Sequence, residues 1–498
     1  MHHQLSRHFA EKLSVLLLFI GFCMPISAIE NLPDIGNTAD AVMSVDEEKK
    51  LGVEFMRSVR ANLDLVNDPV SNEYIKNLGE RLASQVDAGD LTFSFFIVND
   101  NTINAFAGPG GYIGVHSGLI LASQSEDELA SVVAHEIAHV TQRHLVRTLS
   151  ASTNMTIPAM AAIIAAILLG QGDSQITQAV IASTIAGATQ TQLHFSRLHE
   201  QEADRVGIDM MAKSGFDPIA MPNFFETLQK SYRYADGNVP EFLLTHPVTN
   251  SRIADSKGRA EQYKRVHRTP EQTINYELIK TRIYELTKDK IHAQPQTPIP
   301  PPAGKTDNFP KRYQYVLELD PRSDYKKAQQ AIENLIKDDN ERVPYIVTEA
   351  EIESANQHWD KACSILQRGL IIYPNNAPIT LLYGTALIRN NQAKEAMQLL
   401  EKQTRLPGAP PEYYKLYAEA AQQNGLNSEV FEYLGEYYYR IGNLHTAINQ
   451  FEQALKENND NQYRELKLKA RIEEVKKQVL NNQPKKDEPT ENKYLSRI

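Results

Sequence analysis

The sequence predicts an α+β, mainly helical protein in which a mixed N-terminal domain is followed by an α-solenoid. Three observations lead there. Between Asp46 and about Asp289, helical periodicity is broken by one glycine-rich, β-like stretch, Asn104-Ala-Phe-Ala-Gly-Pro-Gly-Gly-Tyr-Ile-Gly-Val-His116. From His292 to Pro310, the run Pro295, Pro298, Pro300, Pro301, Pro302 and Pro310 cannot continue a helix and reads as a semi-rigid linker. Beyond Lys311 the pattern is helical to about Leu480, and Ala328, Ala362 and Ala396 recur at intervals of 34 residues. The expected organisation is a leader over 1–28, a mixed domain over 40–289, a linker over 290–310, a repeat domain over 311–480 and a polar tail over 481–498.

The leader comes first. A basic start (His2, His3, Arg7, Lys12), an apolar run from Leu13 to Phe22 and a small residue at Ala28 make a secretory signal peptide cut after Ala28. The run is too short for a comfortable membrane span. Cutting removes Cys23 and leaves Cys363 alone, so packing rather than disulfides must hold the exported chain. Of the 498 residues 42% are hydrophobic, enough for two or three packed domains. The net charge is −10 and the basic residues are interleaved with acids, which argues against nucleic acid as a partner.

Ala134-His135-Glu136-Ile137-Ala138-His139 carries the chemistry. Ser125-Glu-Asp-Glu128 reads as a helix start, with Ser125 as the cap, Glu128 completing a capping box and the acids favouring the first turn. On that helix His135 and His139 share one face a turn apart. Two imidazoles so placed can hold one Zn²⁺ at about 2.0–2.1 Å. Glu136 lies beside them, where it can take a proton from water. A zinc peptidase needs a third protein ligand, and a candidate lies 65 residues beyond His135, in Ser196-Arg-Leu-His-Glu200-Gln-Glu202-Ala-Asp204. Glu200 and Asp204 are four apart on one helix face. Glu200 can ligate while Asp204 accepts a hydrogen bond from the far nitrogen of a ligating histidine. Glu202 competes for the ligand role. His144 is expected to face away from the metal. His194 and His199 should lie behind the ligands or in solvent, and His116 has no partner visible in the sequence.

His135-Glu-x-x-His139 followed by Ser196-Arg-x-x-Glu200-x-x-Ala-Asp204 resembles the gluzincin peptidases that include the HtpX and OMA-type membrane quality-control proteases, over about Asp46 to Asp255. The export signal and the repeats narrow the resemblance to BepA-like periplasmic members, and Asn104–His116 resembles their edge-strand segment. The proline run of the linker departs from the family. The resemblance implies a gluzincin-type metallopeptidase domain with one zinc per chain, His135, His139 and Glu200 as ligands and Glu136 as general base. It also implies a role for His246, in Leu-Thr-His246-Pro247, on a segment over the site. There His246 either fills the open metal position and keeps the enzyme latent or steadies the oxyanion, for which Arg252 is the other candidate. Substrate is expected to pair as an added strand along Asn104 to Ile113.

Within the repeats, Gly435, Tyr438, Gly442, Ala447, Phe451 and Ala454 fall at tetratricopeptide offsets, and an inserted helix is expected at about Glu412 to Gln423. Stacked repeats imply a concave binding face, which Glu432, Glu436, Tyr439 and Arg440 should line. The apolar run Ile157 to Leu169 is too short to cross a bilayer. With Ile176 to Ala188 it forms a hairpin that is buried in the core, or else a lid or a peripheral membrane contact. The leading reading is a zinc endopeptidase of the periplasm that degrades unfolded or misassembled envelope proteins and assists outer-membrane protein assembly. The alternative is mainly a chaperone or adaptor with a latent peptidase, docked on the outer-membrane β-barrel assembly machinery through its repeats.

Overall fold

The computed structural model describes residues 42–148, 157–168, 197–234, 241–288, 308–406, 409–458 and 461–481. The expected leader, most of the linker and tail, His194 and the second helix of the apolar hairpin lie outside the described residues. The described residues form one compact unit.

Helix α1 (Val45–Asn62) starts at Ser44, whose hydroxyl and Glu47 exchange bonds with each other's backbone N–H in a capping box. Its Leu51, Phe55 and Val59 form one buried stripe. Helix α2 (Pro69–Ala83) is capped by Asp68. A small sheet follows, β1 (Ser94–Val98), β2 (Ala105–Ala107) and β3 (Tyr112–His116), in the order β1-β3-β2. β3 runs parallel to β1 and antiparallel to β2, so β2 is an edge and Ile113 lies in the central strand. The edge expected along Asn104 to Ile113 is therefore confined to its first part. The turn between β2 and β3 needs its glycines, because Gly110 and Gly111 have φ of 71° and 85°. A Cβ on Gly111 would also lie 2.3 Å from the Thr92 carbonyl.

Helices α3 (Ser117–Ala122) and α4 (Glu126–Thr141) lead into the centre of the domain. Ser125 caps α4, but Glu128 reaches back to the Gln124 N–H at 2.7 Å, one residue before the cap, so the expected capping box is displaced. α4 buries 14 of its 16 residues, so each side chain on it has a fixed direction. After α5 (His144–Thr148) comes α6 (Ile157–Leu168), which packs on α1 and buries Ala161, Ile164, Ala165 and Leu168 with Leu51, Phe55 and Phe106. This half of the expected hairpin is core. Among the described residues no helix is long and apolar enough to cross a membrane. Helix α7 (Arg197–Lys213) crosses α4 at Gly207, where a Cβ would stand 3.3 Å from the His135 nitrogen. Helices α8 (Ala220–Tyr234), α9 (Glu241–Thr245), α10 (Asn250–Ala260) and α11 (Pro270–Thr287) complete this part.

Among the described residues ten further helices stack in chain order: α12 (Phe309–Glu318), α13 (Tyr325–Asp338), α14 (Val343–Ala355), α15 (Trp359–Ile372), α16 (Ala377–Arg389), α17 (Ala393–Thr404), α18 (Pro411–Gln423), α19 (Asn427–Arg440), α20 (Leu444–Lys456) and α21 (Gln462–Asn481). Ala328, Ala362, Ala396 and Ala447 are fully buried at the crossings, and Gly435 leaves room for the Phe451 ring, 2.5 Å from where a Cβ would stand. The stack packs on the first part through α14 and α16, which lie against α2, and two polar links stand out. Arg282 of α11 joins Asp68 and Glu351, each at 2.7 Å, and Arg57 of α1 donates to the Gly442 carbonyl at 3.0 Å. The four residues expected to line a concave face in the last repeat have partners within the stack. Lys467 and Arg471 of α21 bind Glu432 and Glu436 at 2.6 and 2.8 Å, Arg471 covers the Tyr439 ring at 4.0 Å, and Arg440 covers Tyr414 at 4.2 Å. The two acids of that expected lining are thus paired with the terminal helix.

Candidate metal centre

Helix α4 presents His135, Glu136 and His139, helix α7 presents Glu200 and Asp204, and the segment after α9 presents His246. All six side chains are buried. His139 Nε2 lies 3.0 Å from His135 Nε2 and 3.4 Å from Glu200 Oε1. His246 Nδ1 lies 3.0 Å from Glu200 Oε1 and 3.4 Å from His135 Nε2. One donor atom from each of the four residues lies within 4.8 Å of all the others. Four vertices around a zinc at 2.0–2.1 Å are spaced by about 3.3–3.4 Å, so these separations suit a tetrahedral ion. Three neutral-capable nitrogens and a carboxylate are also a donor set that zinc accepts. The residues present therefore fit the metal.

The surroundings orient these groups. His135 Nδ1 faces Asp204 Oδ1 at 3.0 Å. Arg252 holds Asp204 with Nε and Nη2, each at 2.8 Å, and reaches Glu200 Oε2 with Nη1 at 2.7 Å. Its Nη1 also donates to the Pro247 carbonyl at 2.9 Å. Four of the five N–H groups of Arg252 are committed in this way, to Asp204, Glu200 and the Pro247 carbonyl. Phe242 lies 4.8 Å from the His246 ring, centroid to centroid, at 28°. Its backbone N–H donates to the Ile103 carbonyl at 3.2 Å, which ties the His246 segment to the residues before β2.

Burial pushes the His135 imidazole down, but Asp204 and Glu200 more than offset it and raise it to about 9. Burial also works to raise Glu200, yet His246 and His135 hold its carboxyl well below the usual range. His139 is pushed down to about 3, first by burial, so its ring is neutral. Burial raises the Glu136 carboxyl. Both Glu136 oxygens lack a hydrogen-bond partner, and Oε1 stands 3.6 Å from His246 Nε2. A carboxylate left bare in a buried site suits one that works on water or substrate, because burying it unpaired is otherwise costly.

Glu202, the competing ligand, lies outside the cluster and bonds His144 Nε2 at 3.1 Å and Arg147 at 3.2 Å. His144 does not face away from the centre. Its Nδ1 meets His139 Nδ1 at 2.9 Å, behind the ligand face. His199 stacks on His144 at 4.3 Å, and His116 bonds Thr102 at 2.8 Å. Asn104, just before β2, is buried with neither atom of its amide bonded.

Comparison with known proteins agrees with this geometry. The profile of peptidase family M48 matches residues 69–260, and that of a tetratricopeptide repeat matches residues 354–420. The beta-barrel assembly-enhancing protease of Yersinia pestis is 31% identical over 454 residues, 91% of this chain and 93% of that one. A Vibrio cholerae relative of the same group is 34% identical over 450 residues, 87% of this chain and 90% of that one. The mitochondrial metalloendopeptidase OMA1 of Schizosaccharomyces pombe is 27% identical over 214 residues, 42% of this chain and 60% of that one. The chain is thus a metallopeptidase with tetratricopeptide repeats, and it belongs to the family of beta-barrel assembly-enhancing proteases.

Proposed function

We propose that the chain is a zinc endopeptidase of the periplasm that cleaves unfolded or stalled envelope proteins and assists the assembly of outer-membrane β-barrels. The observation that carries the chemistry is the buried cluster of His135, His139, Glu200 and His246 around donor atoms within 4.8 Å, with the bare carboxylate of Glu136 beside it. His135, His139 and Glu200 are the ligands. A zinc ion held there would act as a Lewis acid towards a peptide carbonyl and lower the pKa of water. Glu136 takes the proton of the attacking water and passes it to the leaving amine. Asp204, fixed by Arg252, holds His135 in orientation.

The substrate path follows from the register. Asn104, Phe106 and Gly108 bond across to β3, so the N–H and C=O groups of Ala105 and Ala107 point to the open flank. A client strand added there lies along the site. The localisation and the link to β-barrel assembly rest on the leader-like first 28 residues and on what the relatives are named for. Metal analysis and digestion of a disordered protein test the reading. Wild type should hold one zinc and cleave, while Glu136→Gln should keep zinc and lose cleavage. A zinc-loaded Glu136→Gln enzyme that still cleaves would sink the role of Glu136.

One observation favours the second reading, an assembly chaperone or adaptor whose peptidase is latent. His246 supplies a fourth donor 3.4 Å from His135 Nε2 and 3.0 Å from Glu200, where an active peptidase keeps a position open for water. In this reading the repeats dock on the outer-membrane assembly machinery. Site-specific crosslinkers on the repeat helices, read out in whole cells, test the docking.

A further inference from the structure

We propose that His144 and Glu202 are positioning residues of the metal centre, which together lock His139 in the tautomer that presents its Nε2 lone pair to the ion. This rests on the reading of His139 as a zinc ligand. His139 Nδ1 lies 2.9 Å from His144 Nδ1, and His144 Nε2 lies 3.1 Å from Glu202 Oε2. A neutral imidazole carries one N–H and one lone pair, and a carboxylate only accepts. His144 must therefore hold its hydrogen on Nε2 and donate it to Glu202. Its Nδ1 is then a lone pair, so His139 must donate from its own Nδ1. That leaves His139 Nε2 bare, and this atom stands 3.0 Å from His135 Nε2 and 3.4 Å from Glu200 Oε1. The opposite arrangement puts a hydrogen on His139 Nε2, pointing into the ligand cluster, and leaves the Glu202 contact without a donor.

The two ligand histidines are thus oriented by different means. Asp204 faces His135 directly, whereas Glu202 acts on His139 through an intervening ring. The ring is needed because the Glu202 side chain is 31% exposed and cannot itself enter the buried centre. Arg147 holds the carboxylate at 3.2 Å, and His199, stacked on His144 at 4.3 Å and 13°, fixes the plane of the relaying ring.

The test uses full-length enzyme and two readouts that do not depend on cleavage. Zinc affinity, by competition with a chelator, is expected to fall about tenfold or more in Glu202→Ala, the usual effect of losing a partner behind a ligand. Glu202→Gln should restore it, since the amide oxygen also accepts from His144. Zinc-free melting should be unchanged in both. Nitrogen-15 spectra of zinc-free, histidine-labelled wild type should show His139 protonated on Nδ1, and this needs no variant to fold. A folded Glu202→Ala enzyme with wild-type zinc affinity, or a wild-type His139 protonated on Nε2, overturns the relay. Glu200→Ala separates this from the reading beneath it: if it binds zinc as tightly as wild type, the ligand set itself is wrong.

Discussion

Arg252 grips Asp204 in a two-pronged ion pair, with Nε and Nη2 each 2.8 Å from the carboxylate, directly behind His135. Its third nitrogen reaches Glu200 at 2.7 Å, so one buried cation neutralises an acid that orients a ligand and an acid that is a candidate ligand itself. Removing it would take from two buried carboxylates the guanidinium that pairs with both, leaving the imidazoles of His135, His139 and His246 beside them. Breaking a buried pair in this way costs about 3–5 kcal/mol. Arg252→Leu should therefore lower the melting temperature of the zinc-free enzyme by several degrees and reduce its zinc content. Wild-type melting in the variant would show that the fork is not needed for the fold.

His246 is the next test, because its two possible roles differ in sign. Its Nδ1 sits among the ligand atoms and its Nε2 lies 3.6 Å from Glu136. As a fourth donor it displaces the water that Glu136 would activate, and His246→Ala should then cleave a disordered substrate faster and keep its zinc. As an oxyanion partner it is needed for turnover, and the same variant should lose activity by about 10²-fold or more. Zinc content and initial rates of the purified variant decide between them.

Much of this site is legible in the sequence because helical periodicity turns a spacing of four into a shared face. His135 with His139, and Glu200 with Asp204, need no more than that, whereas the close crossing at Gly207 is visible only in the fold. His144 is not legible in that way. Five positions along a continuous helix point well away from the starting face, but α4 ends at Thr141 and Arg143 takes a left-handed φ of 51°, which turns His144 back onto His139. Arg143 is held there by Glu48, 95 residues earlier, at 2.9 Å. The bonds of Glu432 and Glu436 to α21 are hidden for a similar reason. They join residues 35 apart on two different helices, α19 and α21, which no spacing within one helix encodes.

Asn104 predicts a separation of stability from activity. Its amide is buried with no hydrogen-bond partner, a state that costs about 1–3 kcal/mol. It adjoins Ala105, whose backbone faces the open flank of β2. If the amide exists to meet a client's peptide groups, Asn104→Ala should leave zinc-free stability unchanged or raised. Lost substrate contact of about 1 kcal/mol should lower kcat/KM roughly fivefold. A variant that melts well below wild type with unchanged kinetics would mean that the amide supports the fold instead.

The last prediction concerns the joint between the peptidase helices and the repeats. Arg282 lies 2.7 Å from both Asp68 and Glu351, so a single guanidinium links α2, α11 and α14. Burial works to raise the Asp68 carboxyl, but the Arg282 charge and the bonds from Ser71 outweigh it and hold it below the usual aspartate range. A carboxyl whose folded pKa is depressed stabilises the fold above its unfolded pKa of about 3.9 and loses that contribution as pH falls through the lower folded value. Asn keeps the capping ability of Asp at the start of α2 but carries no charge, so Asp68→Asn isolates the ion pair. At pH 7 the variant should melt several degrees below wild type, consistent with a buried pair worth about 3 kcal/mol when one partner is removed. Below pH 4 the difference should narrow as wild-type Asp68 takes up its proton, while other carboxylates titrate equally in both proteins. Zinc-free samples keep the metal centre out of the comparison. A melting difference that stays constant from pH 7 to pH 3 would place the cost of the substitution in packing rather than in the charge that joins the two parts of the chain.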